Sequence, residues 1–317
     1  MDTDALILWV WEHDADWAAR LRHSFDRHGV SCLALHHAEW GDLSARLQSG
    51  DLRAQLAIDR VWDWGGEYAT HVEAVRRHIP AVLNGYDLVR KAWSRPAMHY
   101  LCLQHGLRAP HMLILPSYVA VPEVLCPDLA PLGPRFAVKG AYSGGSGVLS
   151  PATTWDEVVE LRKGWPEDET TLQTWVEPKQ LGGRRAWFRV FYACGASFLC
   201  WSDDLTHDQV QVTPAEEMRW GLGLLRGMAQ HMAGLCGLNL FSTEIALDNR
   251  NLWHVVDYVN EPCDYRVKSG VPNGVPDEVV LAIAERIAGW AERIVKCAAR
   301  SAPLSPEARS DDRPVQS

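Results

Sequence analysis

Three short stretches of the chain combine residue types that do chemistry. In FAVKGAYSGGSGV, a strand-like run delivers Lys139 to a loop holding Gly140, Ser143, Gly144, Gly145, Ser146 and Gly147. Glycines let backbone N–H groups close on an anion and the lysine adds a point charge, so the segment suits phosphate. It is not a Walker A loop, because the G-K-[ST] ending is missing and a strand rather than a helix follows. The plainer alternative is a glycine-rich hairpin with a surface lysine. In FSTEIALD and LWHVVDYVN, Glu244, Asp257 and Asn260 fall on two strand-like runs joined by the turn DNRN. Carboxylates and an amide oxygen, without thiol or imidazole, suit magnesium and leave room for phosphate oxygens. A salt-bridged acid at a strand end is the competing reading. Arg189 lies in the apolar run WFRVFYAC, where an unpaired guanidinium is costly to bury, so it should meet phosphate or carboxylate.

These residues need elements to hold them. ALILWVW, the helical spacing from Asp16 to Gly29, and VSCLALHH read as strand, helix and strand, the pattern of a parallel βαβ unit. No G-x-G-x-x-G follows the first strand, so a nicotinamide-binding fingerprint is absent. QLAIDRVWDW and PAVLN extend the sheet around a helix in YATHVEAVRRHI. From residue 87, a helix is interrupted near Pro96 and closed by Gly106, and a proline-rich connector runs from Pro116 to Pro134. RFAVKG and VLS should form a hairpin-like unit, followed by a helix from Thr154 to Lys163 capped by Thr154 and Asp156. TTLQTWV is a strand, WFRVFYAC and GASFLCWS form a hairpin turning at Gly195, and a long helix spans Glu216 to Cys236. A last helix over Glu278–Ala299 precedes a polar tail that should be disordered.

At 317 residues the chain is long enough for two or three lobes with a cleft between them. Its net charge of -9 disfavours nucleic acid and anionic membranes, so an anionic ligand needs a local basic pocket. The start lacks a basic n-region and no run approaches a membrane span, and eight scattered Cys without C-x-x-C suit reduced thiols; together these point to a cytoplasmic protein. Tryptophan is in excess, 15 against 8 Tyr and 6 Phe. Trp175 and Trp187 fall near the proposed site; Trp9, Trp11, Trp62 and Trp64 fall on amino-terminal strands.

Taken in order, these motifs resemble the ATP-grasp superfamily, similar to its RimK-type and glutathione synthetase-type enzymes. The resemblance implies a mixed α/β and α+β chain: a Rossmann-like lobe over 1–86, a linker helix and small ATP-binding lobe over 87–180, a carboxy-terminal lobe over 181–300 and a tail over 301–317. It implies ATP held by Lys91, which stands for the lysine opening a helix that ends at a G-x-x-x-P turn, by Lys139 and the glycine loop, and by an adenine hinge at Gln173, Thr174, Trp175 and Val176. Glu177 would meet the ribose. Glu244, Asp257 and Asn260 would hold Mg2+, and Arg189 with Lys139 would act on the transferred phosphoryl group. The family's E-x-N spacing puts Tyr258 where the second acid belongs. Either a bulge re-aims Asp257, or the site is reduced to Glu244 and Asn260 with help from Glu261 or Asp264. The implied reaction joins a small-molecule or peptide carboxylate to an amine through an acyl phosphate, with ADP released. A small-molecule kinase and a nucleotide-binding module without turnover are the alternatives, and a homodimer is left open. Arg266 and Lys268 are either substrate-carboxylate ligands or partners of nearby acids, while Arg184 and Arg185 read as solvated charges.

Overall fold

The computed structural model describes residues 1–61, 66–142 and 150–301. Its first part alternates β1 (Ala5–Trp9), α1 (Ala15–Arg27), β2 (Cys32–His36), α2 (Leu43–Ser49), β3 (Leu56–Arg60), α3 (Ala69–His78) and β4 (Ala81–Leu83). The strands form one parallel sheet in the order β2-β1-β3-β4. Every residue of β1 is buried because both faces are covered: Ala5 and Ile7 pack with α1 and the last helix, Leu6 and Leu8 with α2 and α3.

Two helices follow, α4 (Tyr86–Ala92) and α5 (Arg95–Gln104). The break has a local cause. Pro96 cannot sit inside a continuous helix, whereas it is tolerated in a first turn, and the Ser94 hydroxyl accepts from the Ala97 N–H as the cap. Gly106, at φ +79°, closes α5.

The central part holds β5 (Met112–Leu115), β6 (Phe136–Gly140), β7 (Ser150–Ala152), α6 (Trp155–Arg162) and β8 (Thr170–Thr174), with the strands antiparallel in the order β5-β8-β6-β7. The cap of α6 is corrected in one residue: Thr154 pairs with Glu157, not Asp156, because a capping box needs its carboxylate at the third helical position.

The last part carries a ribbon of β9 (Gln180–Leu181) and β10 (Arg184–Arg185), then β11 (Trp187–Ala193), β12 (Ala196–Ser202), β13 (Gln209–Gln211), α7 (Pro214–Trp220), α8 (Leu224–Cys236), β14 (Leu240–Leu247), β15 (Trp253–Asn260) and α9 (Asp277–Ser301). Five of its strands pair antiparallel in the order β13-β12-β11-β14-β15. The single long helix expected over Glu216–Cys236 is two helices, since Gly221 turns left-handed at φ +64°. Of the tail expected over 301–317, Ser301 instead closes α9, and residues 302–317 lie outside the described residues, as do Trp62 and Trp64. All eight cysteines are free. Among the described residues no helix is long and apolar enough to cross a membrane.

Candidate active site

The hairpin β14–β15 resolves the spacing of the acids. Ser242 lies opposite Asn260 and Glu244 opposite Asp257, yet Ile245 lies opposite Val255, so the register slips on both sides of Asp257. Two steps along β14 meet three along β15, and one meets two. Cross-strand partners share a face and alternate residues return to it, so Glu244, Asp257 and Asn260 stand on one face. The bulge that would re-aim Asp257 is present. Tyr258 turns the other way and is buried, where its hydroxyl meets His99 Nδ1 at 2.7 Å and accepts from Gln173 Nε2 at 3.2 Å.

Three cations converge on these acids. Arg189 lies opposite Glu244 in the β11–β14 register, and its Nε and Nη2 donate to Glu244 Oε1 at 3.2 and 2.5 Å, while Trp187 Nε1 donates to Oε2 at 3.1 Å. Lys139, near the end of β6, is 9% exposed and donates to Gln173 Oε1 at 3.2 Å and to the Val256 carbonyl, beside the bulge, at 3.4 Å. Arg95, the first residue of α5, donates from Nη1 to the Gly140 carbonyl at 2.7 Å, and its Nε stands 3.6 Å from Asp257 Oδ1. Burial works to raise Asp257, but Arg95, Lys139 and Arg189 outweigh it and hold the carboxyl below the usual range. Burial lowers the Lys139 ammonium, with Asp257 and Glu244 opposing it. Burial also pulls on Arg189, but Glu244 prevails and raises it.

Past β8, Val176 packs with Trp187, Ala246 and Val256, so the segment after Gln173 rests on the same sheet. The Arg135 guanidinium lies 3.8 Å from the centre of the Trp175 ring. Glu177 is exposed and accepts from Arg185 Nη1 at 2.8 Å.

No family model matches the chain, and no curated protein matches it. Solved structures do, over nearly their whole length. A RimK-domain ATP-grasp protein from Sphaerobacter thermophilus superposes with a TM-score of 0.62 at 15% identity, covering 90% of this chain and 99% of that one. The macrocyclase MdnB from Microcystis aeruginosa gives 0.59 at 14%, covering 91% and 99%. A D-alanine–D-alanine ligase from Bacillus anthracis, complexed with ATP, gives 0.61 at 10%, covering 94% and 99%. The chain has the ATP-grasp fold.

Within this ATP-grasp fold, Lys91 is exposed on α4 and its side chain makes no hydrogen bond or ion pair among the described residues. The helix that ends at Gly106 begins instead with Arg95, which joins the cluster and was missed in the sequence. A signal for it was there. An arginine in the first turn meets the positive end of the helix dipole, so a nearby carboxylate is favourable there, and Asp257 supplies one. Neither Glu261 nor Asp264 joins the acids: Glu261 is buried beside Arg60 and Asn84, and Asp264 is gripped by Arg266 at 2.6 Å. Lys268 pairs with Asp208 at 2.6 Å, so both basic groups of that segment have acids of their own. Arg184 stays exposed, but Arg185 does not fit a solvated charge. Its Nε and Nη2 hold Asp204 at 2.5 and 2.7 Å. The glycine loop, Ser143 to Gly147, lies outside the described residues, which begin again at Ser150. Among the described residues no three His, Cys, Asp or Glu gather around one point. The candidate metal donors are two carboxylates and the Asn260 amide, hard oxygens few enough to leave positions for phosphate.

Proposed function

We propose that the chain is a magnesium- and ATP-dependent ligase that activates a carboxylate as an acyl phosphate and joins it to an amine. One observation carries the reading: Arg95, Lys139 and Arg189 converge on Glu244 and Asp257, which share one face of the β14–β15 hairpin, and together the three cations hold Asp257 below the usual carboxylate range. A half-buried group of cations of this kind suits an anionic ligand, and the acids beside it suit a divalent cation. Phosphoryl transfer asks for such positioning and neutralisation more than for covalent help.

ATP would lie between β6–β8 and the β11–β15 sheet, its phosphates at Arg95 and Lys139, its adenine along Gln173–Val176 and its ribose at Glu177. Glu244, Asp257 and Asn260 would hold magnesium, whose chemistry is to neutralise phosphate charge. The substrate carboxylate oxygen bonds to the γ-phosphorus as the bond to the β,γ-bridging oxygen breaks, and ADP leaves with that electron pair. Arg189 offsets charge on the transferred group. The amine then attacks the acyl carbon, phosphate departs, and the amine proton passes to solvent.

The structural neighbours support the reaction class. One is a D-alanine–D-alanine ligase, another a macrocyclase, and the ATP-grasp ligase PsnB is complexed with a precursor peptide and AMPPNP, which supports small-molecule or peptide acids and amines here. The test is a screen of acids with amines for magnesium-dependent ADP release, followed by product analysis. An amide product is expected. A stable phosphorylated alcohol would make the chain a kinase, and nucleotide binding without turnover across the panel would overturn the ligase.

A further inference from the structure

Arg185 joins three parts of the chain. It sits on β10, paired across the ribbon with Gln180. Two of its nitrogens grip both oxygens of Asp204, and a third donates to Glu177 Oε1 at 2.8 Å. The exposures differ along this line: the Asp204 side chain is 4% exposed, Arg185 18% and Glu177 57%. Asp204 and Arg185 therefore form the anchored end and Glu177 the free one. A buried carboxylate gripped at both oxygens fixes the plane of the guanidinium, and that plane fixes where Nη1 points. Without it, an exposed glutamate samples several rotamers.

Asp204 is itself held in place by its loop. Asp203 Oδ1 accepts from the Leu205 and Thr206 N–H groups, and its backbone N–H donates to the Asp208 carbonyl. At the loop's far end Asp208 binds Lys268. The contacts form one continuous support, from loop 203–208 through Arg185 to one carboxylate.

We infer that Arg185, anchored by Asp204, is a positioning residue that sets the ribose selectivity of the nucleotide site by holding Glu177 toward the sugar hydroxyls. The inference rests on the proposed ATP site. A lysine at 185 would keep the charge but, as a point donor, could not grip both Asp204 oxygens while reaching Glu177.

The test is calorimetric binding of AMP-PNP and its 2′-deoxy and 3′-deoxy forms, with magnesium, to the full chain and to Glu177→Gln, Arg185→Lys and Asp204→Asn. A hydrogen bond to a charged group corresponds to discrimination of about tenfold or more between ribose and a deoxy sugar. Arg185→Lys and Asp204→Asn are each expected to lower this to about twofold or less by weakening only the ribo-nucleotide, with deoxy-nucleotide affinity unchanged. Equal weakening of all the nucleotides would mean a merely structural role and would overturn the inference. So would full discrimination in both variants while Glu177→Gln loses it, which leaves Glu177 at the ribose. Full discrimination in Glu177→Gln removes Glu177 from the sugar and overturns the inference together with the ribose assignment.

Discussion

Arg60 and Arg189 are both arginines paired with a carboxylate away from bulk water, and they differ in their neighbours and in access. Arg60 is fully buried beside the stacked rings of Trp17 and Tyr265, 4.8 and 5.1 Å from their centres. It donates to both oxygens of Asp14 at 3.1 and 2.7 Å and to the Cys263 carbonyl at 2.6 Å. Burial pushes the neighbouring Glu261 up to about 8, so at neutral pH that carboxyl is mostly uncharged and one positive charge meets one negative. The Arg189 and Glu244 side chains are 20% and 18% exposed, and Lys139 and Arg95 stand beside the same acids. A sealed, neutral pair joins the amino-terminal sheet to the segment after β15. The second group gathers several cations and acids where solvent still reaches them.

The largest expected effect tests the sealed pair. Arg60→Ala leaves Asp14 buried with its charge unpaired and should cost about 3–5 kcal/mol in urea unfolding. Arg189→Ala should cost less than half of that, because Glu244 keeps Trp187 and some solvent. The reverse order would break the comparison.

Activity should separate the two arginines the other way. Arg189→Ala and Lys139→Ala are each expected to lower kcat/KM for ADP release by about 10²–10³, the scale for removing a donor from developing charge. Arg60→Met, assayed where it is folded, should stay within about threefold.

A pH effect is expected beside the sealed pair. Burial pushes Asp59 up to about 7, with the Val61 N–H opposing. Folding therefore keeps a proton that the unfolded chain releases; the stability this gives is full below the unfolded pKa and is lost as pH rises through about 7. Asp59→Asn keeps an acceptor for Val61 and should flatten thermal stability between pH 5 and 8 by roughly 2–3 kcal/mol. An unchanged pH slope would show that Asp59 ionises normally.

The smallest effect concerns how the open cluster is held. Tyr258→Phe removes the hydroxyl between His99 and Gln173 and loosens the amide that Lys139 donates to. KM for ATP should rise about tenfold with kcat nearly unchanged. A fall in kcat alone would place Tyr258 in the chemistry instead.

Much of this was legible in the sequence because period and punctuation carry it. The parallel sheet follows from buried strands alternating with helices, and the Cys194–Gly195 and Asp248–Asn251 turns from short polar or glycine breaks between apolar runs. The candidate acids were also legible as residue types, since Glu244 among apolar neighbours needs a partner. Register was not. A bulge adds a residue to one strand without leaving a composition signature, so sequence could state both positions of Asp257 but not choose between them. Arg95 and Arg185 were hidden for a different reason. Their partners, Asp257 and Asp204, lie far along the chain from Arg95 and across a hairpin from Arg185, and only the folded sheet brings them together.

The central claim is that the cluster around Glu244 and Asp257 receives nucleotide phosphates together with a metal. Calorimetric titration of the full chain with AMP-PNP, with and without magnesium, tests it most directly. Magnesium should tighten binding by about tenfold or more, and Glu244→Gln combined with Asp257→Asn should remove that gain. An affinity indifferent to magnesium, or no nucleotide binding at all, would contradict it.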